Sequence, residues 1–382
     1  MNILIIGNGF DIEHDLPTHY IDFLDWAGLQ KNKICAEINE VVFANVGIKD
    51  EVDCLKKDNI WLYHFLQLNR TDVLLERGWI DFEKQIGEII NALEGNVIKN
   101  KPLMISFYNT TPQYSISTFL TQGYVYLKGG NTGNTGAIEL VIGSLGFYTL
   151  IEYLYQDLRR FTRLFEIYCH FYINAIIKEK LKRLKENPNS NFGWVLSFNY
   201  TNSYDALYDK QKLSRYCYIH GLAQESPKNT NIVLGIDDAL ERLKDNEVNT
   251  IFDFVKFKKY FQRIDLRTGS EYRDWIKIIK ENVKRKVTHN DTIQKIEISI
   301  VGHSMGKTDH EVLGEFLNLT EKGNEVYVKI YYHDDKAKTN LIQRTIEIIG
   351  KKALIDRVHG SDSTIQFIYQ YDEVEGLFKK RE

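Results

Sequence analysis

Proline is scarce in this chain, with five residues in 382. With no proline-rich linker, a second domain is expected as an insertion into the first rather than as a tethered neighbour. Cysteine is as thin. Cys35, Cys54, Cys169 and Cys217 stand far apart and form no CxxC pair. That argues against a zinc ribbon and a disulfide framework, and leaves free thiols in a reducing compartment. Neither sign of charge dominates. Against 49 basic residues stand 52 acidic ones, a formal balance of −3, so the chain as a whole exerts no pull on nucleic acid or an anionic membrane. Long apolar runs are missing too. The opening run from Met1 to Phe10 is short and interrupted by glycine, and it lacks a basic leader and a small-residue cleavage site. No later stretch has the length of a membrane helix. The expected setting is cytoplasmic, with no membrane partner and no indication of nucleic acid.

What is present is an ordinary globular composition, 43% hydrophobic and 26% charged, arranged in two kinds of pattern. Asn2-Ile3-Leu4-Ile5-Ile6 is a continuous β-branched and leucine run that stops at glycine, as expected of a strand buried on both faces of a parallel sheet. Similar runs come late, at 194–198, 232–234, 296–301, 326–332 and 365–369. Helical periods separate several of them, at 309–319 and 338–349. Strands alternating with helices predict an α/β fold, Rossmann-like, with a mostly parallel sheet. From about Trp26 to Leu93, and again from Tyr148 to Lys185, apolar residues recur at three- and four-residue spacing, which predicts a large helical insertion. The stretch between, about 101–146, is rich in Ser, Thr, Asn and Gly and reads as a hairpin or long loop. Its segment from Gly129 to Gly136 lacks the Gly-Lys-Ser/Thr ending of a P-loop and reads as a turn. The predicted domains are 1–25 with 190–382, a nucleotide-binding α/β domain, and 26–189, a mainly helical insertion.

Three segments carry candidate chemistry. The first is Gly7-Asn8-Gly9-Phe10-Asp11, directly after the first strand. Glycine there allows positive φ and lets a phosphate approach the backbone, and a helix starting near Asp11 would turn its N–H groups toward a pyrophosphate. The third glycine of the dinucleotide fingerprint is replaced by Ile12, and a tight turn without ligand is the plainer alternative. The second is a pair of strand ends. Phe198-Asn199-Tyr200-Thr201 places an amide, and Ile219-His220-Gly221 a titratable ring beside a glycine, where open α/β sheets bind ligands. Alone, Asn199 reads as a cap and His220 as a structural histidine, but three strand ends converging on one edge favour function. The third segment, Gly302-His303-Ser304-Met305-Gly306, matches the nucleophile-elbow pattern, with Asp334 or Asp335 and His359 following in hydrolase order. No His-Gly-Gly-Gly segment precedes it, and Lys307-Thr308-Asp309 looks like a helix start. The alternative is a second ligand-edge turn in which Ser304 and its local amides contact ribose or phosphate.

Taken in order, the segment from Asn2 to Asp11 with Leu16-Pro17-Thr18, Phe198-Asn199-Tyr200-Thr201, Ile219-His220-Gly221, Leu234-Gly235-Ile236-Asp237, and Gly302-His303-Ser304-Met305 with Thr308-Asp309 resemble the AbiH-type abortive-infection proteins. Those are bacterial defence proteins acting against bacteriophage, and the resemblance spans nearly the whole chain. At one remove the same segments are similar to the sirtuin-like NAD-consuming domains. That likeness implies a sirtuin-like sheet with NAD as substrate. It sets Gly7, Asn8, Gly9, Phe10, Asp11, Gly302 and Ser304 around the cofactor, with Asn199 and His220 as catalytic residues. Asn8 replaces the usual alanine, Asp11 the family serine and Thr201 an aspartate. The zinc-module cysteines are missing, so lysine deacetylation is not expected, nor is a metal. Glu83, in Gly78-Trp79-Ile80-Asp81-Phe82-Glu83, resembles a recurring AbiH-type Trp-x-Asp-x-Glu segment and stands with Asp309 as a further candidate.

The resemblance thus implies an anti-phage NAD glycohydrolase with His220 as general base and Asn199 holding the ribose or a water. Asp11 would serve ribose hydroxyls or the developing positive charge. Two alternatives remain open. One is a non-catalytic nucleotide-binding sensor whose helical insertion meets a phage-derived or host protein trigger; the other is a serine hydrolase using Ser304. Self-association into a homo-oligomer is expected. A metal-dependent nuclease has least support, because Asp237-Asp238 and Asp334-Asp335 are adjacent pairs with no evident third ligand.

Overall fold

All but one of the apolar runs are strands in the computed structural model, which describes residues 2–29, 46–70, 82–98, 103–105, 138–140, 144–178, 180, 184, 192–236, 252–289 and 295–380. The described strands are β1 (Asn2–Ile6), β2 (Leu103–Ile105), β3 (Ile138–Leu140), β4 (Trp194–Ser197), β5 (Arg215–Tyr218), β6 (Ile296–Val301), β7 (Val326–Tyr332) and β8 (Ile365–Tyr369). Six of them form one sheet in the order β5-β4-β1-β6-β7-β8, and every pairing in it is parallel. Counted by appearance within that sheet, the order is third, second, first, fourth, fifth, sixth. The chain therefore reverses its direction of travel across the sheet between β5 and β6. The crevice at the carboxyl ends of β1 and β6 is the topological switch point, where sheets of this kind take their ligands.

Burial on both faces explains why these strands read as unbroken apolar runs. Ile3, Ile5, Leu196, Ile298 and Ile300 face one core, together with Trp275, Ile276 and Ile279 from the helix Tyr272–His289. Leu4, Ile6, Val195 and Val301 face the other, with Phe10, Tyr204 and Phe378. The helix Asp335–Ile349 starts where the Asp334 side chain accepts from the Ala337 N–H (2.7 Å) and stops at Gly350, whose φ of 86° ends the helical path. A second short helix, Lys351–Val358, follows at once.

Contacts divide the chain into two units, Met1–Thr18 with Ile173–Leu222 and Arg267–Glu382, and His19–Tyr172 with Ala223–Leu266. The second unit contains the helices Tyr20–Leu29, Val46–Lys56, Ile60–Arg70, Phe82–Ile98 and Ser144–Ile167. Phe65 packs on Phe82 at a ring separation of 4.5 Å and on Phe161 at 5.1 Å, and Asp157 caps Ile60–Arg70 by accepting from the Ile60 N–H (2.8 Å). β2 and β3 pair antiparallel, and both lie in the stretch that the sequence reads as a hairpin or long loop; the residues between them are outside those described. The glycine-rich segment 129–136 and Cys35 lie outside the described residues, whereas Cys54, Cys169 and Cys217 are free thiols. No described helix is long and apolar enough to cross a membrane.

The exception among the runs is 232–234, which is buried but is not a strand. The side-chain amide of Gln262 takes the part of a neighbouring strand, accepting from the Leu234 N–H (3.0 Å) and donating to the Leu234 carbonyl (3.2 Å). The segment accordingly groups with the helical unit, although the sequence reading attached it to the α/β domain.

Candidate active site

Register brings four chain segments level at the sheet's carboxyl edge. Ile6 lies opposite Ser197 on one side and Val301 on the other, and Ser197 opposite Tyr218. The residues that follow, Gly7, Phe198-Asn199, Ile219-His220 and Gly302-His303, therefore emerge together.

Glycine at 7 and 9 is required by a close approach of two backbones. A Cβ on Gly7 would stand 2.8 Å from the Gly302 carbonyl oxygen and from the His303 ring, and one on Gly9 would stand 2.8 Å from the Gly302 Cα. Positive φ is not the reason: Gly7 is extended at φ −124°, and the left-handed residues of the pair of turns are Gly302, at φ +63°, and Met305, at φ +54°. The amides expected at a pyrophosphate are engaged within the protein. Gly7 N–H donates to the Val301 carbonyl (3.1 Å), Gly9 N–H to Gly302 (2.8 Å) and Phe10 N–H to Gly7 (2.9 Å). The Asn8 side chain donates to the Thr18 carbonyl (3.2 Å).

Phe10 and Asp11, expected at the cofactor, point into the protein, and neither is exposed at all. Phe10 packs among His14, Tyr204, Tyr208 and Phe378. The Asp11 carboxylate accepts from the hydroxyls of Thr201 (2.5 Å) and Ser203. Burial raises its pKa to about 6, against the opposing pull of those hydroxyls and of Asn199.

Asp309 is the centre of the edge. Its Oδ1 lies 3.3 Å from His220 Nε2 and its Oδ2 3.4 Å from His303 Nε2. Burial alone would raise this carboxyl, but hydrogen bonds and charge from the two histidines outweigh it and hold Asp309 well below the usual carboxylate range. The His303 tautomer follows from its other nitrogen. Nδ1 accepts from the Met305 N–H (2.9 Å), so in the neutral ring the proton sits on Nε2, facing Asp309. Phe198 fills the space between the rings, 4.2 Å from His303 and 5.7 Å from His220. Asn199, the next residue, donates its side-chain N–H to the Gly7 carbonyl (3.1 Å).

Gly7, Asn199, His220, Gly302, His303 and Asp309 thus form one cluster. Ser304 does not share in it as a nucleophile would. It is exposed, and the left-handed backbone of its turn falls on Met305 (φ 54°), whose side chain is buried. His359 follows the helix Lys351–Val358 and precedes β8, so it belongs to the amino edge of the parallel sheet, opposite to Ser304. Asp334 is a helix cap. The hydrolase triad is not assembled, and the serine-hydrolase reading is withdrawn for that reason. Glu83 opens the helix Phe82–Ile98 in the second unit and pairs there with buried Lys259 at 2.7 Å.

His303 and Ser203 went unassigned in the sequence. His303 had a signal, since it mirrors His220 as a histidine beside a glycine just past a buried strand. Ser203 had none, because a serine at a helix start is usually read as a cap.

A family model described as Bacteriophage abortive infection AbiH matches residues 3–332, a span that includes every residue of this cluster. Among curated proteins, none matches the chain.

Proposed function

The chain belongs to the bacteriophage abortive-infection AbiH family, and from that premise we propose that it defends its host by hydrolysing NAD at the nicotinamide–ribose bond, on a Rossmann-like sheet whose carboxyl edge carries His220 as general base. The observation that carries this reading is the ionised Asp309 held between His220 and His303 at the switch point.

Asp309 stands at the N-cap of the helix His310–Leu317, yet its side chain makes no capping bond. A capping aspartate typically contributes about 1 kcal/mol, and here that contribution is forgone for contact with the histidines. The pairing suits a base. With Nε2–H turned to Asp309, the neutral His220 ring keeps Nδ1 as its proton acceptor. In the proposed step a water oxygen bonds to the ribose C1′. The C1′–N bond breaks, its electron pair passes to the nicotinamide nitrogen, and the water's proton passes to His220 Nδ1. The imidazolium formed is stabilised by Asp309, while Asn199 orients the ribose. Gly7, Gly9 and Gly302 shape the floor by their close packing.

Purified protein incubated with NAD, alone and with lysate of phage-infected cells, should release nicotinamide. His220→Ala should slow that release by about 10²–10⁴-fold while keeping the circular dichroism spectrum. Unchanged release by the folded variant would overturn the assignment, and saturable NAD binding without release would point to a sensor.

A further inference from the structure

Two observations at this edge bear on which part of a nucleotide it recognises. First, the N–H groups of Gly7, Gly9 and Phe10 all donate to carbonyls of the protein. The flank where Cβ atoms of Gly7 and Gly9 would stand is filled by Gly302 and His303 backbone at 2.8 Å. A phosphate gains from a glycine turn only where amides point at it. Second, Asn199 is 5% exposed. Its Nδ2 is tied to the Gly7 carbonyl, which fixes the amide plane, and its Oδ1 has no donor among the described residues. A buried acceptor in that position calls for a donor group. The Asn199 amide also meets the buried Asp11 carboxylate. A phosphate oxygen is an acceptor with negative charge and suits neither neighbour, whereas a sugar hydroxyl donates.

Resting on the reading of this edge as a nucleotide site, we infer that it recognises the sugar hydroxyls of a nucleoside through Asn199 and takes nothing from the phosphates, so that a phosphate-free nucleoside is a ligand in its own right. The ligand class is therefore nucleosides as well as dinucleotides.

Calorimetric titration of the full chain with nicotinamide riboside, NAD and inorganic pyrophosphate tests this. The riboside should bind with a Kd within about tenfold of that of NAD, and pyrophosphate at millimolar concentration should displace neither. Asn199→Ala should weaken both ligands alike, by about tenfold or more. The comparison of ligands on the unaltered protein stands even where that variant folds poorly. A riboside bound more weakly than that margin, or displaced by pyrophosphate, overturns the inference. Absence of binding by both nucleosidic ligands overturns it together with the reading beneath it. Nicotinamide release, followed in the same samples, separates the two ideas: equal binding of both ligands without release sinks the glycohydrolase proposal and supports this inference.

Discussion

Asp11 and Asp309 are both buried carboxyls near one sheet edge, and their surroundings drive them in opposite directions. Asp309 faces two imidazoles and stays ionised. Asp11 faces two hydroxyls and the Asn199 amide, which lower its pKa less than full burial raises it, and it is pushed up to about 6 from 3.8. A carboxyl whose folded pKa lies above its unfolded value favours folding in its protonated form. Its contribution is complete below pH 3.8 and is lost as pH rises to about 6. Asp11→Asn removes that dependence. From pH 4.5 to 7 the stability of the Asn variant relative to the parent should therefore rise by about 2 kcal/mol, as read from urea unfolding at both pH values. A difference independent of pH would show that Asp11 does not titrate in this range. The sequence identified Asp11 as unusual but turned it outward to a ligand. Only the meeting of Thr201 and Ser203 with it, some 190 positions along the chain, reveals the inward orientation.

Among the elements, the two glycine turns after β1 and β6 act as one joint. A methyl group on Gly302 would come 2.1 Å from the Phe10 nitrogen and 2.5 Å from the Gly9 carbonyl carbon, on a backbone already at φ +63°. Gly302→Ala should lower stability by about 3 kcal/mol or more. Gly193→Ala, whose new methyl meets nothing within 4 Å, should stay within about 0.5 kcal/mol of the parent. Thermal melts of the two variants give the comparison, and equal melting temperatures would deny the joint. The strands that meet here were legible because burial on both faces leaves an unbroken apolar run. Residues 232–234 carry the same local signal and are not a strand. What decides their fate is Gln262, a long-range partner that no window around Leu234 contains. The helix Tyr272–His289 was also passed over, although Trp275, Ile276 and Ile279 carry the three- and four-residue spacing of a buried face.

At the scale of the whole molecule, the cluster draws on Gly7, Asn199, His220 and the stretch from Gly302 to Asp309, none of which is informative alone. Their convergence was readable from the pattern of strand ends, since parallel strands in register deliver their following residues to one edge. The partnership of His303 with Asp309 was not, because a histidine in a glycine-rich turn has many ordinary uses. The AbiH assignment ties the chain to phage defence, and the cluster lies within the matched residues. Asp309→Asn keeps the volume but removes the charge between the rings. Plaque counts on a host carrying this variant should equal those on a host without the protein, while immunoblots show equal amounts of chain. Protection at the parental level would detach the cluster from defence.

Synthesis order gives the joint between β1 and β6 a further significance. Ribosomes deliver the first glycine turn ahead of the helical unit, but its counterpart, with His303 and Asp309, emerges only after that entire unit has been made. Fragments from interrupted translation hold His220 without its carboxylate. For a chain of an abortive-infection family, that sequence of events withholds the pairing of the histidines with their carboxylate until the helical unit has been synthesised.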